Sequence, residues 1–149
     1  MRILSQRDKA WRDANLGQSS LTVGRFGCTT TCLSMLSDYF NCYVTPAEIA
    51  HNAANYTKDG LVVWKNLKFG KFRFVARDYA EDRAKISEFI KDPDKAVILN
   101  VDGGHHWVVA LRKSLVGNDW VVADPWNGDK CGAKARYKDV VGAAYFTLK

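Results

Sequence analysis

Four β-rich runs crowd the C-terminal part of the chain: KAVILNV at 95–101, HHWVVAL at 105–111, DWVVAD at 119–124 and AAYFTLK at 143–149. They are separated by DGGH, KSLVGN and WNGDKCG, whose glycine, asparagine and aspartate content marks turns and loops. Runs this short and this close together pair most simply as antiparallel neighbours, so this part of the chain is committed to a sheet. KFRFVAR, at 71–77, alternates in the same way and reads as a further strand.

The segments before the sheet carry a different period. Cys32, Leu33, Met35, Leu36, Tyr39 and Phe40 recur at the spacing of an apolar helix face, which predicts a buried helix over 28–40. In TPAEIAHNAANY, Thr45 can cap a helix, Pro46 suits its first position and Glu48 completes a capping box. LVVWKNL suggests a short helix, and AEDRAKISEFIKD places Ile86, Phe89 and Ile90 on one helix face. Helices first and sheet second indicate an α+β architecture rather than alternating βαβ units. At 149 residues the chain is sized for one domain, 1–149, with a core that needs neither metal nor disulfide staples.

Composition narrows the function classes. Lys and Arg number 22 against 16 acidic residues, a net charge of +6, but the basic residues form no tract and no RNA-binding motif, so nucleic acid is not the expected partner. The apolar runs are too short to span a bilayer, and MRILSQRDKAW lacks the apolar core of a signal peptide. The chain is therefore expected to be cytoplasmic as synthesised. Its four cysteines are expected to be free thiols. Cys28, Cys32 and His106 or Asp124 could make a mixed zinc site, but the paired short-spacing Cys/His knuckles of structural zinc are missing, so no metal and no cofactor are expected.

Cys28 follows a glycine where a polar segment gives way to the first helical pattern. A thiolate there gains from the free N–H groups and the positive end of the helix dipole. Cys32, one turn on, lies on the apolar face and reads as packing. If KSLVGN turns near residue 115 or 116, antiparallel pairing sets His106 opposite Asp124 or within one residue of it. Strand parity lets only one of His105 and His106 face the thiol, and this register favours His106. Pro125 biases Asp124 toward an extended backbone as its strand ends. Cys28 as nucleophile, His106 as base and Asp124 as orienting carboxylate would form a cysteine-hydrolase triad. Gly103 and Gly104 permit a tight turn, and Trp126, close to Asp124, is the candidate substrate-binding aromatic.

Taken together, SQRDKAW, GCTTTCLSML, TPAEIA, HHWVVAL and VVADPWNG resemble the papain-like cysteine peptidases related to bacteriocin-leader peptidases. The resemblance implies a papain-like fold, a helical first half packed on an antiparallel sheet, and assigns Gln6 to the oxyanion hole. It also implies a peptide substrate, with a peptidoglycan stem peptide or crossbridge as the specific version, since stand-alone relatives include lysins. A lysis partner or specialised secretion would then bring the chain to the cell wall. The alternatives are intracellular leader or protein processing, acyl transfer, and a binding or inhibitory module without turnover.

Overall fold

The computed structural model describes residues 1–67 and 70–149. In chain order the elements are α1 (Val23–Phe26), α2 (Cys28–Tyr39), α3 (Pro46–His51), β1 (Phe72–Asp78), α4 (Arg83–Lys91), β2 (Lys95–Val101), β3 (His106–Lys113), β4 (Trp120–Asp124), β5 (Asp129–Gly132), α5 (Ala133–Tyr137) and β6 (Val140–Leu148). The strands form one six-stranded sheet in the order β1-β6-β2-β3-β4-β5, every neighbouring pair antiparallel. The mixed helix and antiparallel-sheet architecture read from the sequence is present.

Alternation along the strands divides the core in two. Cys32, Leu33, Met35 and Leu36 of α2 pack on Ile98, Trp107, Val109, Ala123 and Phe146. On the opposite face, Ile86 and Phe89 of α4 and Ala133 of α5 cover Leu99, Val108, Trp120, Val122 and Tyr145. Fully burying one such side chain is worth roughly 2 kcal/mol. Helices therefore cover both faces: the helical first half packs on one, and the later helices α4 and α5 on the other. No helix among the described residues is long and apolar enough to cross a membrane.

The local signals were accurate where the cap is local. The Glu48 N–H donates to Thr45 Oγ1 at 3.2 Å at the start of α3, and the Lys85 N–H donates to Asp82 Oδ1 at 3.1 Å at the start of α4. Two readings need correction. LVVWKNL forms only a single 3-10 turn, Trp64–Asn66. WNGDKCG is not simply a loop, because it runs into β5 and then directly into α5. Gly132 gives α5 no side-chain cap of its own. Instead Asp119, from the edge of β4, accepts the Lys134 N–H at 2.7 Å and the Ala135 N–H at 3.0 Å. A cap borrowed from another strand leaves no mark in the local sequence.

Candidate active site

Cys28 owes its position to the residue before it. Gly27 breaks the chain between α1 and α2, and a Cβ there would lie 2.5 Å from Val23 O and 2.6 Å from Val23 Cα. Only glycine lets the two short helices approach this closely. Cys28 thus becomes the first residue of α2, where its backbone N–H has no intrahelical acceptor. The rest of α2 is anchored in the core, so the thiol is held at the end of the sheet. Cys32 is fully buried, and its sulfur contacts Trp107 O at 3.4 Å. Burial, with the Cys28 and Asp124 charges added, pushes its thiol well above the ordinary cysteine value, which suits packing and not attack.

His106 opens β3 and Asp124 closes β4. Their side chains meet, with His106 Nε2 at 2.7 Å from Asp124 Oδ1. The backbone register differs from the one expected. Val109 pairs with Ala123 after a bulge between Ala110 and Arg112. Continuing that ladder sets Asp124 level with Val108, two residues from His106 rather than one or none. The two are diagonal neighbours on one face, a separation long side chains bridge. A two-residue offset preserves parity, so His106 turns to Asp124 and is buried, while His105 is exposed.

Asp124 has no exposed surface and collects four donors. Oδ1 accepts from His106 and from the Trp126 N–H at 2.9 Å. Oδ2 accepts from Arg136 at 2.9 Å and from the Tyr137 hydroxyl. Arg136 also forms a fork onto Asp129, at 2.9 and 3.0 Å. Asp129 pairs with Asp124 across β4 and β5, so one guanidinium bridges two carboxylates that would otherwise repel. Sequence reasoning missed Arg136 and Tyr137 because it missed α5, which carries both.

These contacts set the charges. Burial of Asp124 opposes ionisation, but hydrogen bonds from His106, Tyr137, the Trp126 N–H and Arg136 outweigh it and hold the carboxyl well below the usual aspartate range. Burial likewise disfavours the His106 imidazolium. Hydrogen bonding to Asp124 and to Cys28, followed by the charges of both, reverses that and raises its pKa from 6.5 to about 9. With Nε2 committed to Asp124, Nδ1 is the nitrogen left for the thiol.

Cys28, His106, Tyr137, Gln6, Phe26 and Trp126 line a common cleft of about 340 Å³. A larger cavity of about 410 Å³ elsewhere has no cysteine, histidine or carboxylate in its lining. Gln6 reaches the cleft because its segment is tied to the turn after β4. Its N–H donates to Pro125 O at 2.6 Å, Ser5 Oγ donates to Trp126 O at 3.1 Å and Arg7 Nε to the same oxygen at 2.9 Å. The Gln6 side chain is buried, its Nε2 directed at Gly24 O (3.3 Å) and Val23 O (3.5 Å), its Oε1 without a partner. Trp126 stays partly exposed, with the Arg7 guanidinium 4.4 Å from its ring centre. No group of three metal-ligating side chains converges among the described residues.

A thiol at a helix start, with an imidazole held beside it by a buried carboxylate, is equipped for nucleophilic attack on a carbonyl. That is the chemistry of a cysteine hydrolase. Residues 22–138 match the Peptidase C39 family, most of the chain's length, and the chain belongs to this family of cysteine peptidases. No curated protein and no solved structure matches it. Gln6 lies outside the matched stretch.

Proposed function

We propose that this chain is a papain-like cysteine peptidase that cleaves amide bonds through a Cys28 acyl-enzyme. The observation that carries the reading is the meeting in one cleft of Cys28, at the start of α2, and His106, which is held by the buried Asp124 carboxylate. An imidazolium that persists to about pH 9 gives the Cys28 thiolate a counterion. Sγ attacks the scissile carbonyl carbon, and His106 Nδ1 passes its proton to the departing nitrogen as the C–N bond breaks. Water then attacks the thioester while His106 takes its proton, and the thiolate leaves. Asp124 keeps the imidazole oriented and supports its charge throughout.

The free Cys28 N–H and the Gln6 amide are the proposed oxyanion donors. Gln6 Nε2 carries two hydrogens and makes two long contacts, to Gly24 O at 3.3 Å and Val23 O at 3.5 Å, and it would serve the oxyanion by exchanging one of these for the substrate. A donor of this kind is typically worth about 3 kcal/mol in the transition state. The preferred substrate is a peptide within peptidoglycan, a stem peptide or crossbridge, because the net charge of +6 suits an anionic wall.

Purified wild type, Cys28→Ala and Gln6→Ala, incubated with cell walls and with a peptide library, test the reading. Wild type should release new peptide ends, Cys28→Ala none, and Gln6→Ala should lose roughly 100-fold in kcat. Equal cleavage by wild type and Cys28→Ala would overturn the mechanism. Cleavage of soluble peptides but not walls would move the substrate to intracellular processing, and product masses showing a transferred acyl group would replace hydrolysis by acyl transfer.

A further inference from the structure

The cleft has one carboxylate that the triad does not use. Asp102 lines it beside His105 and His106, on the loop between β2 and β3. Its backbone lies in the left-handed region at φ 54°, followed by Gly103 at 62° and Gly104 at 97°. For an L-residue that conformation is uncommon, although aspartate adopts it more readily than most. The usual compensation, a side-chain hydrogen bond to the neighbouring backbone, is missing: the Asp102 carboxylate is exposed and has no hydrogen bond or ion pair among the described residues. Asp124, in contrast, is fully enclosed and saturated by four donors.

The other charges around the cleft sharpen the point. Arg25 and the two histidines are its cationic or potentially cationic lining groups, and Asp102 is the sole acidic residue among the lining side chains. Nothing among the described residues satisfies its oxygens. Backbone space beside it is also open, since a Cβ on Gly103 would come no closer than 3.8 Å to another atom and one on Gly104 no closer than 3.9 Å. A substrate group reaching this corner meets a bare carboxylate with room to approach it.

We infer that Asp102 is a specificity-determining residue of the cleft that takes an ammonium group of the substrate, either a free α-amino group or a lysine-type side-chain amine, close to the scissile bond. The inference rests on the peptidase reading of the cleft. Its recognition element is a charge-assisted hydrogen bond from N–H to carboxylate. It selects among peptides without adding a chemical step.

The decisive experiment does not depend on turnover. Cys28 in wild type, Asp102→Asn and Asp102→Gly is modified with methanethiosulfonates of similar size carrying an ammonium, no charge or a sulfonate, and peptide mass spectrometry reads the rate at each cysteine. Asparagine and glycine both accept the left-handed backbone, so the variants keep the loop. Loss of the carboxylate should lower the ammonium-to-neutral rate ratio at Cys28 roughly threefold, with the ratios at Cys42 and Cys131 unchanged. An unchanged ratio at Cys28 would overturn the inference, whether or not the protein cleaves peptides.

Peptide pairs then identify the source of the amine. Wild type should favour a free amino terminus over its acetylated form, or lysine over acetyl-lysine, roughly tenfold in kcat/KM, and the preference should vanish in Asp102→Asn. A preference that survives in Asp102→Asn, or its absence from wild type, would also sink the assignment. If no peptide is cleaved in a Cys28-dependent way, the peptidase reading fails, while the labelling ratio still decides whether Asp102 governs cations at the thiol.

Discussion

Replacing Asp124 with asparagine should remove most of what keeps His106 protonated. Lifting the imidazole from 6.5 to about 9 corresponds to roughly 3 kcal/mol in favour of the imidazolium. Burial opposes that rise, so once the carboxylate is gone the Cys28 contact alone stands against desolvation. The His106 pKa should return to 6.5 or below, and at pH 7.5 the protonated share should fall from nearly all to about a tenth. Asparagine also offers one oxygen to four donors, which leaves at least one of Arg136, Tyr137, His106 and the Trp126 N–H poorly served. Titration of the ring protons by NMR reads the midpoint directly. Cys28→Ala should lower the midpoint less, because its hydrogen bond is the smaller of the two. A midpoint above about 8 in Asp124→Asn would refute the reasoning, since burial would then not be the opposing force assigned to it. The same balance has a stability consequence. A folded-state pKa above the unfolded value stabilises fully below pH 6.5, and that contribution is lost as pH rises through about 9. Wild type should lose this increment over that window, and Asp124→Asn should show little of it.

Two further substitutions probe the supports of the site. Tyr137→Phe removes one donor to Asp124 Oδ2 while keeping the ring against His106, at 5.2 Å between centroids. It should cost on the order of 2 kcal/mol near neutral pH by urea unfolding. Because the folded-state pKa of Asp124 is depressed, its stabilisation is present above 3.8 and lost as pH falls toward the folded value, so the variant should unfold at higher pH and the two proteins should converge in strong acid. A gap that persists unchanged at low pH would contradict this. Gly27→Ala drives a methyl group into the Val23 backbone at 2.5 Å, and backbone cannot yield as a side-chain tip can. A loss of about 3 kcal/mol in stability, with slower Cys28 alkylation in the fraction that folds, is expected. A variant within about 0.5 kcal/mol of wild type would show that the two helices can separate without cost.

What the sequence disclosed follows the range of the forces involved. The α2 stripe, the Thr45 cap and the alternating strands are written in neighbouring residues; α2 and β1 to β4 lie within two residues of their expected spans, while β6 begins three residues before AAYFTLK and α3 ends at His51. His106 and Asp124 were found because a hairpin converts a sequence interval into a cross-strand distance. The interval alone misjudged the register, since Lys113 pairs with Trp120 at the head of the hairpin and places the turn later than expected, and the bulge between Ala110 and Arg112 takes back only one residue of that displacement. Parity absorbed that error because the displacement was two residues from the expected pair and not one. The supports of the site were illegible for a different reason. The Asp119 cap on α5, the Arg136 fork and the backbone bond from Gln6 to Pro125 all join residues whose proximity exists only in the folded sheet. Gln6 entered through resemblance alone, and the structure supplies a physical reason for its nearness to the thiol.

That reason lies in the turn after β4. Pro125 and Trp126 present their carbonyls to Gln6, Ser5 and Arg7, while the Trp126 N–H turns back to Asp124. Gly128, at φ 68°, lets the turn pass within 3.1 Å of Ser5, measured to the Cβ it lacks. The proposed oxyanion donor and the carboxylate behind His106 are therefore fixed to the same few peptide units, one through carbonyl groups and the other through an N–H. A shift of this turn would displace Gln6 and loosen Asp124 together. The proposed catalytic groups sit on separate elements, but the backbone between Asp124 and Gly128 holds two of them to a common reference. The geometry of the proposed triad and that of the proposed oxyanion donor should consequently vary as one unit under perturbation.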